Sequence, residues 1–100
     1  MPFIAALTIH LHLADNNSLK GKRKELLSVR AALTRRYGAS VAEVDSQDLW
    51  QRATLAAGLV SGSPRELERA IDDIERFLLA RFPEGARVER RLVSFKDLDA

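Results

Sequence analysis

Phe3, Ala5, Leu7, Ile9, Leu11 and Leu13 alternate with Ile4, Ala6, Thr8, His10 and His12, which predicts a strand with one buried face. Ala14-Asp15-Asn16-Asn17 reads as a loop. Ser18 is placed to cap a helix over residues 18–37, whose apolar positions Leu19, Leu26, Val29, Leu33 and Tyr37 follow helical spacing, and Gly38 to stop it. Two further strands are predicted at residues 40–45 and 51–61. In Ser63-Pro64-Arg65-Glu66, an N-cap, a proline at the first helical position and a glutamate at the third form a capping box. Leu67, Ala70, Ile71, Ile74, Phe77 and Leu78 continue it as a helical stripe that ends near Phe82-Pro83-Glu84-Gly85. Residues 87–95 form a last strand with poorer alternation, and 96–100 read as a frayed tail.

The order βαββαβ is the split pattern of a ferredoxin-like α+β sandwich. Right-handed crossovers then put both helices on one face of a four-stranded antiparallel sheet with strand order 4-1-3-2. The other face is left without helical cover. It is expected to carry Ile4, Thr8, His10, His12, Glu43, Asp45, Arg52 and Thr54, together with apolar Ala6, Val41, Ala56 and Val60. One hundred residues with 46% hydrophobic content make one domain with one core, so any site lies on its surface or in a shallow groove.

Composition removes several classes of chemistry. The chain has no cysteine, which excludes disulfides, thiolate catalysis and thiolate zinc sites. The apolar N-terminus lacks a basic lead-in and a small-residue cleavage site, and no run approaches the roughly 20 apolar residues of a membrane span. A cytoplasmic location with no membrane partner is expected.

Net charge is only +2, but it is unevenly spread. The first helix holds Lys20, Lys22, Arg23, Lys24, Arg30, Arg35 and Arg36 against the single acid Glu25. That is a positive stripe about 30 Å long. Charges on the second helix recur at three- and four-residue separations and can pair among themselves. The stripe reads either as a phosphate-contacting surface for structured RNA or as an ordinary solvated helix face. Base stacking of the kind used by RNA-recognition motifs is not expected, because the first three strands place no aromatic residue on the open face.

Two other constellations could carry chemistry. His10 and His12 lie two apart on one strand and point the same way, as a pair of metal ligands would; their carboxylate partners Glu43 and Asp45 are expected on the far edge strand toward the opposite end of the sheet, with Glu89 of the last strand closer, and the favoured reading is two partly solvated histidines with no metal site and no cofactor. Between the middle strands, the run from Glu43 to Ala53 contains Asp45, Gln47, Asp48, Trp50, Gln51 and Arg52. Its acids and arginine suggest hydrolysis, yet there is no nucleophile with an adjacent base and no Gly-rich phosphate loop. The run is either a recognition loop or a structural corner in which an aspartate caps the turn, Arg52 pairs with an acid and Trp50 packs over a sheet end.

The strand ending Leu11-His12-Leu13, the helix start Ser18-Leu19-Lys20-Gly21-Lys22-Arg23 and the run from Val41 to Ala53 together resemble the YlxP-like family. These are small bacterial proteins catalogued as a domain of unknown function. The resemblance covers nearly the whole chain and implies a ferredoxin-like fold; the family's genes often lie among translation and ribosome-maturation genes. It implies no catalytic residues. Ser46 departs from the family pattern, in which a histidine is common there, so a metal-binding or charged role resting on that histidine would be in doubt in this chain. The expectation is a non-catalytic protein that contacts ribosomal or other structured RNA through the first helix. The alternative is a homodimer or protein-binding module that uses the open sheet face.

Overall fold

A computed structural model describes residues 1–98. Its elements run β1 (Phe3–His12), α1 (Leu19–Tyr37), β2 (Ser40–Asp45), β3 (Arg52–Ser61), α2 (Pro64–Arg81) and β4 (Ala86–Ser94), followed by a 3-10 turn at Phe95–Leu98. The strands form one antiparallel sheet in the order β2-β3-β1-β4, the expected order counted from the other edge. The fold is a ferredoxin-like α+β sandwich. Residues 96–98, expected to fray, instead complete the 3-10 turn, which is pinned by the Phe95 N–H donating to Pro2 O at 2.9 Å. The remainder of that expected tail, 99–100, lies outside the described residues.

The period-two pattern decides which face is buried. Ala5, Leu7, Ile9, Leu11 and Leu13 of the first strand and Ala53, Leu55, Ala57 and Leu59 of β3 form the floor of the core. Leu26, Val29 and Leu33 of α1 and Leu67, Ile71, Ile74 and Leu78 of α2 cover it. Each fully buried Leu or Ile removes apolar surface worth about 1.5–3 kcal/mol from water, so this layer dominates stability.

Both helices start and stop where local chemistry directs. Ser18 Oγ accepts the Gly21 N–H at 3.0 Å, and Gly38, at φ 67°, closes the C-terminus through bonds to Leu33 and Thr34 carbonyls. At α2, Ser63 Oγ accepts the Glu66 N–H at 3.2 Å. The return half of the capping box is relayed, because the Ser61 hydroxyl accepts from Ser63 N–H and donates to Glu66 Oε2, both at 3.0 Å.

A bulge in β2 revises the expected open face. Glu43 stands opposite Leu55, whereas Asp45 stands opposite Thr54, so Val44 is an extra residue that reverses the alternation. Glu43 therefore faces the helices, as does Val41, which packs against the core; only Asp45 of this pair joins the open face. The register also brings Asp45 level with His10, with Thr54 between them, and not toward the other end of the sheet.

Candidate functional site

The β2–β3 connection is fastened to the start of α1 by a buried lysine. Lys22 is 1% exposed, although flanking Lys20 and Arg23 are in solvent. Its ammonium donates to Ser46 O at 2.5 Å and Leu49 O at 2.8 Å, and lies 2.9 Å from Glu43 Oε2. An ammonium has three protons, and here three oxygens surround it. The Glu43 contact is an ion pair without hydrogen-bond alignment, and this buried oxygen has no other partner. The register supplies the carboxylate, since Glu43 stands opposite buried Leu55 in the regular stretch of β2, and the extra Val44 then sends Asp45 to the other face.

Further ties hold the same loop. Asn16 Nδ2 donates to Trp50 O at 2.5 Å and to Ser18 O at 2.7 Å, while Gln51 Nε2 reaches Ala14 O and Asn16 O at 3.3 and 3.2 Å. The Leu13 N–H donates to Gln51 O at 2.8 Å. Gly21 makes room for this: a Cβ there would fall on Asn16 Oδ1, well inside contact distance. Ser46 takes the left-handed φ of 59°, with its N–H on Asp45 Oδ1 at 2.9 Å, and thereby turns its carbonyl to Lys22.

Backbone restraint contrasts with side-chain exposure. Trp50 is 53% exposed, Leu49 47% and Val44 52%. Trp50 is not part of the core, and its indole N–H has no partner among the described residues. Arg52 likewise forms no ion pair with Asp45 or Asp48 there. Of the structural corner, the aspartate turn is found, at Asp45. Asp48, Leu49, Trp50, Gln51 and Arg52 border a shallow hollow of ≈ 380 Å³. Gln51, expected to contact a partner, is committed to the tether; Gln47, Asp48, Trp50 and Arg52 remain in solvent.

The basic helix also divides. Lys22 is buried, a correction to its expected place on the outer stripe. Arg30 is half-buried, with Nη2 on Val41 O at 3.0 Å, and Arg36 lies over the Phe77 ring at 5.0 Å from its centre. Lys20, Arg23, Lys24 and Arg35 are exposed and make no side-chain hydrogen bond or ion pair among the described residues. Glu25, the helix's only acid, is drawn away by Arg81 of α2 at 2.9 Å. Acids of α2 are engaged as well: Asp73 with Arg76, and Asp72 and Glu75 with Arg90 of β4 at 3.0 and 3.4 Å.

On the open face, His10 Nε2 lies 2.6 Å from Glu89 Oε1, and Arg87 lies 3.6 Å from the same oxygen. The hydrogen bond to His10, followed by the Arg87 charge, holds the Glu89 carboxyl below the usual carboxylate range. His12 is exposed at the end of the strand.

A family model described as a protein of unknown function, DUF503, matches residues 4–91. The chain belongs to that family. It is 31% identical over 77 residues to the uncharacterized protein YlxP of Bacillus subtilis (strain 168), which covers 77% of this chain and 83% of that protein. Among solved structures it is similar to the de novo designed protein Foldit4, with a TM-score of 0.65 at 12% identity over 94% of this chain and 98% of that one. A second designed protein, with a ferredoxin fold, gives a TM-score of 0.45 at 17% identity over 94% of this chain and 87% of its own. The likeness to Foldit4 is one of fold. The span matched by the DUF503 model contains all four strands up to residue 91, both helices and the tethered loop. No described helix is long and apolar enough to cross a membrane.

Two substitutions test the tether. Lys22→Met removes a buried ammonium from three oxygens and is expected to cost about 3 kcal/mol in urea unfolding. Gly21→Ala, which at an ordinary helical site gains about 0.5–1 kcal/mol, is expected to destabilise here because the new methyl meets Asn16. A Gly21→Ala variant more stable than the native protein would contradict the packing described.

Proposed function

We propose that this protein binds structured RNA on the continuous surface formed by the exposed N-terminal half of α1 and the tethered β2–β3 loop. The observation that carries the reading is that cations without ion-pair partners among the described residues and an exposed indole belong to two elements fastened together at Lys22. Lys20, Arg23 and Lys24 are exposed on the first two turns of α1, and Lys22, buried between them in sequence, holds the loop that presents Trp50. Cationic side chains supply affinity through phosphates, while an aromatic ring accepts an unstacked base. Such a division suits RNA with a loop or bulge beside a helix, because A-form helices hide their base edges in a narrow major groove. The neighbourhood of the family's genes among translation genes agrees with this reading by association.

A holding role is chemically simpler than catalysis. Exposed Asp48 and Arg52 lack a positioned nucleophile, so the loop can bind and orient without bond-making. A cytoplasmic setting follows from the same proposal, since structured RNA is found there.

A homodimer through the open face is the second reading. Val60, 63% exposed, stands opposite Ile4, which in turn stands opposite Val93, forming an apolar patch at one end of that face. Arg52, Arg87 and Arg91 on the rest of the face oppose close stacking of two copies, which places this reading second.

RNA titration at several salt concentrations tests the first reading. With Lys20, Arg23 and Lys24 each on a phosphate, log affinity is expected to fall against log salt with a slope of roughly −2.1 to −2.7. Trp50 is the only tryptophan, so binding is expected to quench its fluorescence. Trp50→Ala should weaken affinity by about 1–3 kcal/mol while leaving the salt slope unchanged. A flat salt response with unaltered fluorescence contradicts the proposal.

A further inference from the structure

We propose that the end of the open sheet face bounded by His10, His12, Arg52 and Arg87 binds a phosphate group. Three adjacent strands create the site through their register: His12 stands opposite Arg52, and His10 stands opposite both Thr54 and Arg87. With Ser46 and the Gly85 backbone, these side chains border a depression of ≈ 440 Å³ whose lining contains no carboxylate. Two arginines, two histidines, a serine and a threonine line it. That is the donor chemistry used for planar and tetrahedral oxyanions.

Charges around the depression favour an anion over a metal. A metal on the His10–His12 pair would face Arg52 and Arg87, the residues paired with those same histidines. The nearest carboxylate, Glu89, is already against His10 Nε2 at 2.6 Å and lies 3.6 Å from Arg87. Asp45, across Thr54, has an oxygen on the Ser46 N–H. Arg52 and His12 are left with no side-chain partner among the described residues. On its other side His12 borders a cleft that contains Asp15, Glu25 and Glu84, none of which bonds its ring. The base of His12 is fixed, because its backbone N–H donates to Gly85 O at 2.9 Å. Gly85 also keeps that rim low: a Cβ there would come within 3.3 Å of the His12 Cβ.

The phosphate has two possible chemical sources, a small phosphorylated molecule or a nucleotide. Arg52 borders both this depression and the hollow beside Trp50, so one nucleoside monophosphate can place its phosphate among the histidines and its base toward the indole. The site is separate from the outer stripe of α1 and does not depend on RNA binding there.

His10 and His12 are the only histidines, so the imidazole signals in a proton NMR spectrum report this site alone. Inorganic phosphate titrated at constant pH and ionic strength is expected to move both sets of signals saturably, with a Kd on the order of 1 mM or tighter. Arg52→Gln removes an exposed side chain without a partner, so it should fold normally and weaken phosphate binding about tenfold or more. Arg76→Gln on α2 is expected to leave it unchanged. A nucleoside 5′-monophosphate that also quenches Trp50 supports the site with a nucleotide as its source. The same histidine shifts without quenching support it with a small phosphorylated molecule. Shifts reproduced by chloride, or no saturable shift in the native protein, would overturn the proposal.

Discussion

The Lys22 ammonium, taken out of water on the first turn of α1, is the constraint around which the distinctive part of this molecule is arranged. Withdrawing an ammonium from water costs several kcal/mol unless its protons are satisfied, and the loop conformation supplies what is needed. Ser46 adopts a left-handed backbone, Leu49 turns its carbonyl inward, and the register of β2 against Leu55 brings the Glu43 carboxylate to the helix side. Any of these alone would be a local irregularity. Together they form one cage, in which an unfavourable burial is offset only when every oxygen is in place.

That cage separates backbone order from side-chain freedom. A connection between two strands ordinarily moves more than the strands it joins. Here its carbonyls are held by Lys22 and Asn16, and Gln51 reaches back to the loop before α1, yet Leu49, Trp50 and Arg52 project into solvent. Exposed apolar and aromatic side chains on an ordered backbone lose little conformational entropy when they meet a partner. The same lysine links this loop to the positive stripe on α1. Its removal from that stripe leaves fewer exposed cations than the charge count suggests.

The fold was legible because its signals are periodic and local. Alternation in β1 and β3, the Ser18 and Ser63 caps and Gly38 each act within a few residues, and all agree with one topology. The candidate site was less so. Lys22 looks like its neighbours Lys20 and Lys24, and its burial depends on a loop more than twenty positions away. The bulge that separates Asp45 from Val41 and Glu43 has no glycine or proline to mark it, so strict alternation put all three on one face. Even so, a hint was present: glycine in the first turn of a helix, as Gly21 is, carries a propensity cost, which calls for a packing reason such as the close approach of Asn16.

Site-resolved hydrogen exchange at the Leu49 amide, whose N–H donates to Ser46 O at 3.1 Å inside the Lys22 cage, tests the account most directly. The account predicts measurable protection of this amide in the native protein, and its loss in Lys22→Met under conditions where the amides of β1 and β3 stay protected. Rapid exchange of Leu49 in the native protein, or protection that survives removal of the ammonium, would contradict it.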